Sequence, residues 1–178
     1  HPFDDDDFIA GNATAGLEIL EDLPDVDAVV AAVGGGGLLG GVGSAIRAKR
    51  PDVRIYAAEP ATAAPFDLSL ARGDASRFTA WQPSFVDGAG GKSVLTSMWP
   101  LLKSVVTHGS IVVPLSDVAS AMRTAAERVH VIAEGAGGTA IAAALSGRAG
   151  TGKIVAVVSG GNIDLNRFAE LVSTHPHV

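Results

Sequence analysis

No cysteine occurs among the 178 residues, which excludes disulfides, thiolate metal sites and a cysteine nucleophile. Aromatic residues are scarce at 5%, and charged residues make up only 18%. Lys and Arg number 13 against 19 Asp and Glu, for a formal net charge of −6. With no basic run, non-specific nucleic-acid binding is a poor fit. No apolar stretch reaches the roughly 20 residues of a membrane span. The opening HPFDDDDF has neither the basic nor the apolar region of a signal peptide. These absences fit a cytoplasmic protein. An initiator Met is missing too. The chain opens on His1-Pro2-Phe3 and four aspartates, Asp4 to Asp7, and reads like the middle of a longer protein.

Hydrophobic residues supply 47% of the chain, mostly as Ala, Val, Leu and Ile, enough for one packed domain of this length. The 22 glycines cluster, which points to tight turns and close backbone approach. A helix is predicted over Asn12–Asp22, ended by Pro24. A continuous apolar run, Asp27–Val33, stops at four glycines and suits a parallel strand buried on both faces. Leu38–Arg50 reads as a helix with a basic end, which matches the macrodipole. Val53–Ala58 is the next strand, completing a βαβ unit. Glu59–Gly91 reads as an irregular, functional loop region.

Val105-Val106 and Ile111–Val113 are short strand candidates. Ser116 is the expected N-cap of a helix over Asp117–Ile132. A small-residue helix over Gly137–Leu145, a buried strand over Ile154–Val158 and a closing helix over Leu165–Val172 complete an α/β fold with a mainly parallel sheet.

Two motifs carry chemistry. Gly34-Gly35-Gly36-Gly37-Leu38 follows a buried strand and opens a helix, where converging backbone N–H groups and the helix N-terminus suit a phosphate. No Gly-Lys-Ser/Thr follows, so it is not a Walker A loop. Gly35, Gly37 and Gly40 have the dinucleotide spacing, but only Glu59 offers an acid near the usual distance. The bland alternative is a tight turn that packs helix on sheet. Ser159-Gly160-Gly161-Asn162 likewise follows a strand. Ligands of open α/β sheets sit beyond the carboxyl ends of strands, so the two motifs can converge on one ligand. Alone, Ser159 reads better as a turn hydroxyl bonded to the backbone; together with the first motif it reads better as a ligand contact.

The ordered segments GNATAGLEIL, VDAVVAAVGGGGLLGGV, YAAEP, VDGAGG, AEGAGGTAIAAAL and VVSGGNIDL resemble the fold-type II pyridoxal-phosphate enzymes. The nearest branch is that of the serine/threonine dehydratases and serine racemases. The resemblance covers nearly the whole chain. It implies a three-layer α/β fold with a mainly parallel central sheet, like tryptophan synthase β, of which residues 1–178 form the C-terminal portion of the large cofactor-binding domain. It implies pyridoxal 5′-phosphate as cofactor, with Gly34, Gly35, Gly36, Gly37 and the Leu38 amide at its phosphate and Ser159, followed by Gly160 and Asn162, at its ring nitrogen. Asp87 and Gly88 fall near the ring and substrate, and Glu134 on the cofactor's far side; the other reading of Glu134 is a helix-end acid. Some family members hold a divalent cation through positions matching Glu59, Ala63 and Pro65. Proline is no ligand, so no metal site is assigned, and Glu59 reads better as a salt-bridged acid.

The resemblance also shows what this chain lacks. The family's cofactor-bearing lysine and its substrate-carboxylate loop belong to an N-terminal half, and Lys49, Lys92, Lys103 and Lys153 match no such motif. The implied intact protein is a homodimer acting on a small amino acid, an ammonia-lyase that converts L-serine or L-threonine to ammonia and a 2-oxo acid. The chain alone, without the N-terminal half, would be inactive and would leave a sheet edge uncovered. A serine racemase, a dehydratase of other specificity and a non-catalytic phosphate-binding module stay open. A nucleotide-binding Rossmann protein fits less well with the SGGN ending. His108 and His130 stand isolated, and His175 and His177 read as a solvated tail.

Overall fold

The computed structural model describes residues 3–173; the tail bearing His175 and His177 lies outside them. A four-stranded, wholly parallel sheet has the order β3-β2-β1-β4, with β1 at Ala28–Ala32, β2 at Arg54–Pro60, β3 at Ser110–Val113 and β4 at Ile154–Ala156. Residues along β1 alternate between two cores. Ala28, Val30 and Ala32 face one layer, which includes Val118, Met122, Ala136 and Ala143. Val29, Ala31 and Val33 face the other, with Leu39, Val42, Ile46 and Leu102. That alternation makes three layers, with a strand apolar on both faces at the centre.

The first helical layer holds α1 (Asp6–Asp22), α2 (Gly37–Lys49) and α4 (Trp99–Val105); the second holds α5 (Leu115–Val129), α6 (Gly135–Leu145) and α7 (Leu165–Ser173). The chain leaves β1 through α2 toward β2. It returns to the opposite side of β1 through α5 and α6. Strand order therefore reverses between β1 and β4, which creates a crevice at their carboxyl ends.

Several elements differ from expectation. Helix α1 starts six residues early because Asp5 caps it, its carboxylate accepting from the Phe8 amide at 3.0 Å. Val105-Val106 is no strand: Val105 ends α4 and the Val106 amide caps it by donating to Leu102 O. The apolar pair is one buried edge of a helix, which a two-residue window cannot tell from a strand. Helix α5 starts at Leu115 after Pro114, so Ser116 lies in the first turn and not at the N-cap, and His130 ends the helix at φ 57°. Within the expected irregular region, Pro65–Arg72 forms α3, with proline in its first turn. Strand β4 has three residues and is half-buried, since it pairs only with β1. Among the described residues, no helix is long and apolar enough to cross a membrane.

Candidate functional site

The crevice at the strand-order reversal holds a cavity of about 330 Å³, lined by Gly34 to Leu38, Gly88, Glu134 and Ser159, among others. Its floor is the turn from β1 into α2. Gly36 adopts φ 96° there, a left-handed conformation that glycine takes without strain. The turn aims the start of α2 at the cavity. As at any helix start, the amides of Gly37, Leu38 and Leu39 have no acceptor within the helix. No acidic residue occupies the first turn to compete for them. The arrangement is an anion cradle, and it fits a phosphate group.

The loop carrying Asp87 and Gly88 forms a second wall. It approaches so closely that a β-carbon on Gly34 would lie 2.7 Å from the Gly88 carbonyl oxygen. Glu134 forms the third wall. It is the N-cap of α6, its carboxylate accepting from the amides of Ala136 at 2.7 Å and Gly137 at 3.1 Å. Its own amide donates to Gly160 O at 2.9 Å, tying α6 to the segment after β4. Glu134 is thus a helix-end acid that also lines the cavity. Glu134→Ala is expected to lower stability by about 1 kcal/mol through the lost cap, measured by thermal unfolding. Glu134→Gln, which keeps one acceptor oxygen, should recover part of that loss.

Ser159 reaches the same cavity as the glycine turn. Gly160 packs under Glu134, where an added β-carbon would meet its Cγ at 3.4 Å. Asp87 and Asn162 line an adjacent cavity of about 220 Å³ that shares Glu134. One part of the wall was not anticipated. Phe3, Phe8 and Asn12 come from the start of α1 and the residues before it, and the Asn12 amide group donates to the Phe8 carbonyl at 2.8 Å. Helix α1 lies against α2 at backbone distance, and a β-carbon on Gly41 would sit 2.3 Å from the Ile9 carbonyl oxygen. The small residues of both helices were the available signal for this contact. Among the described residues, no lysine lines the cavity.

Glu59 lies elsewhere. It is fully buried at the end of β2, and its two oxygens accept from the amides of Phe66 at 2.7 Å and Asp67 at 2.8 Å and from the Ser110 hydroxyl at 2.6 Å. These are capping contacts to α3, where a salt bridge had been the expectation. Pro65 starts that helix, and the buried Ala63 donates its amide to Pro60 O. Among the described residues, no three His, Cys, Asp or Glu side chains gather as a metal-binding group.

Residues 1–160 match the family described as pyridoxal-phosphate dependent enzyme. The chain is 40% identical over 174 residues to an L-threonine ammonia-lyase of Thermotoga maritima, covering 97% of this chain and 43% of that protein. It is 32% identical over 177 residues to a serine racemase of Dictyostelium discoideum, covering 97% of this chain and 54% of that protein. The structure of a processed threonine deaminase isoform 2 from Solanum lycopersicum superposes with a TM-score of 0.87 at 29% identity, over 97% of this chain and 51% of that one. The chain thus spans about half the length of the curated relatives it matches.

Proposed function

This chain belongs to the pyridoxal-phosphate dependent enzyme family, and we propose that it is the cofactor-phosphate half of an L-serine or L-threonine dehydratase, inactive without a partner segment. The observation that carries this reading is the convergence of the glycine turn after β1 and Ser159 after β4 on one cavity at the strand-order reversal. Gly34 to Gly37 and the Leu38 amide would hold the cofactor's phosphate. Ser159 would offer its hydroxyl to the ring nitrogen. Asp87, Gly88 and Glu134 would flank the ring and substrate, with Asn162 one layer further out.

Pyridoxal phosphate, when bound, supplies the electron sink for breaking bonds at an amino acid's α- and β-carbons. What this chain adds is placement and a neutral partner for the ring nitrogen. A serine hydroxyl brings a dipole to the ring nitrogen where a carboxylate would bring a full charge, so the sink is weaker. That suits prompt loss of a β-hydroxyl. The α-proton needs a base, and the cavity offers no lysine for it.

The partner is proposed to be the N-terminal half of the same protein. Strand β4 is an edge strand, and a cavity of about 360 Å³ lies between it and α1, lined by Ala15, Ile19, Leu23, Val155 and Val157 among others. An unpaired edge beside apolar side chains is a template for another strand. The intact molecule would act on a small amino acid as a cytoplasmic homodimer.

The test is complementation. The chain alone should bind pyridoxal phosphate, leave none attached after borohydride reduction, and release no ammonia from L-threonine or L-serine. Co-expression with an N-terminal segment bearing the family's lysine should restore covalent cofactor and ammonia release. Formation of D-serine without ammonia would make the protein a racemase instead. Cofactor binding without either activity would leave a binding module.

A further inference from the structure

Trp81 is a half-buried aromatic in a chain with few, and it falls outside both core clusters. It sits in the segment between α3 and α4, which folds back on itself. Arg77 pairs with Ser93 in an antiparallel bridge. The Phe78 amide donates to Lys92 O at 2.8 Å and the Val94 amide to Ser76 O at 3.3 Å. Across this neck the Trp81 indole Nε1–H donates to the Gly90 carbonyl at 2.8 Å. The exposed Lys92 places its Nζ 4.2 Å from the centre of the Trp81 ring.

Gly90 closes a tight turn. Its amide points back to Asp87 O at 3.4 Å, and a β-carbon there would lie 2.4 Å from the Val86 carbonyl oxygen. On the same turn, Gly88 presents its carbonyl to Gly34 at the cradle. The indole is therefore tied to one end of a four-residue turn whose other side is a wall of the cavity. Indole N–H can only donate, and a lysine ammonium over the ring face restrains the ring's tilt.

We propose that Trp81 is a positioning residue. Its indole N–H holds the Asp87–Gly90 turn against the glycine cradle, and Lys92 fixes the ring that carries that donor. The ligand is the one assigned under the proposed function, and the inference rests on that reading. Core packing alone would need only the ring; positioning needs the N–H.

Trp81→Phe separates the two, because it keeps a ring under Lys92 and removes the donor. In the 178-residue chain, this substitution is expected to weaken pyridoxal phosphate binding about five- to tenfold, in keeping with one lost hydrogen bond at a constrained site. Amide hydrogen exchange should accelerate at Gly88–Gly91 and stay unchanged in β1 and α2. Lys92→Met should weaken binding by about twofold, and Lys92→Arg, which retains a cation over the ring, should restore it. Unchanged affinity and exchange in Trp81→Phe would overturn the inference and leave the cofactor reading intact. If the unsubstituted chain binds no pyridoxal phosphate, the cofactor reading fails. Exchange at Gly88–Gly91 then decides by itself whether Trp81 holds the turn.

Discussion

Gly34→Ala is expected to weaken pyridoxal phosphate binding by at least about tenfold, measured by calorimetric or absorbance titration. The new β-carbon would lie 2.7 Å from the Gly88 carbonyl oxygen and 3.4 Å from Ala89 Cα. Both are backbone atoms, so no side-chain rotation relieves the contact. The turn after β1 and the Asp87–Gly90 turn must move apart, and these are two walls of the cavity. Overpacking of this kind costs about 1–3 kcal/mol. The same displacement moves the amides of the cradle, so binding should suffer beyond stability. Gly11→Ala is the matched control. Gly11 lies in α1 with nothing within 4 Å of an added β-carbon, and alanine there should stabilise by about 0.5–1 kcal/mol without changing affinity. Equal binding by Gly34→Ala and the unsubstituted chain would show that the two turns do not share a ligand.

The parts of this site that were legible in the sequence are those set by a few adjacent residues. Four glycines after a buried strand imply a backbone turn at a strand end, and the structure has one at Gly34–Gly37. The placement of Ser159 followed from the same rule, since parallel strands bring their carboxyl ends together. The part of the wall built from α1 and the residues before it was illegible. Phe3, Phe8 and Asn12 reach the cavity only because α1 lies against α2 at backbone distance, and the small residues of the two helices signal a close contact without saying which helix meets which. Helix starts were misplaced wherever the cap was unusual. Pro114 precedes α5 without a side-chain cap, Glu134 caps α6 with a carboxylate, and Glu59 caps α3 from seven residues upstream of Phe66. A sequence scan looks for Ser, Thr, Asp or Asn at the N-cap, and among four successive aspartates it does not single out Asp5 ahead of α1. It cannot find a cap delivered from the end of another strand. The same long reach explains Glu59, which looked like a remnant metal ligand or ion pair until its partners were visible.

Glu59 should make stability fall as pH rises through neutrality. The carboxyl is fully buried, and burial pushes it from an ordinary 4.5 up to about 7; the hydrogen bonds from Ser110, Phe66 and Asp67 oppose that rise, and the nearby Asp67 charge adds to it. Between those two values the folded chain keeps a proton that the unfolded chain has lost. Unfolding there releases a proton, so folding is favoured at lower pH. The contribution is complete below about pH 4.5 and is lost as pH passes 7, with a span of roughly 3 kcal/mol. Urea unfolding at half-unit steps from pH 5 to 8 would measure it, with Glu59→Gln as reference because glutamine does not titrate. The stability of the unsubstituted protein relative to Glu59→Gln should fall steadily across that range, and a constant difference would mean that the carboxylate stays ionised throughout. Glu59→Ala probes the cap itself. It strands the buried amide of Phe66, at about 1–3 kcal/mol, and takes the acceptor from the partly buried Asp67 amide and Ser110 hydroxyl. A loss of about 3–5 kcal/mol is expected, enough to release α3 from the sheet. Phe66 is fully buried in the core on that face, and Trp99 of α4 packs edge-on to it at 5.9 Å. Loss of this one carboxylate should therefore loosen α4, and with it Leu102 beneath Gly36 of the cradle.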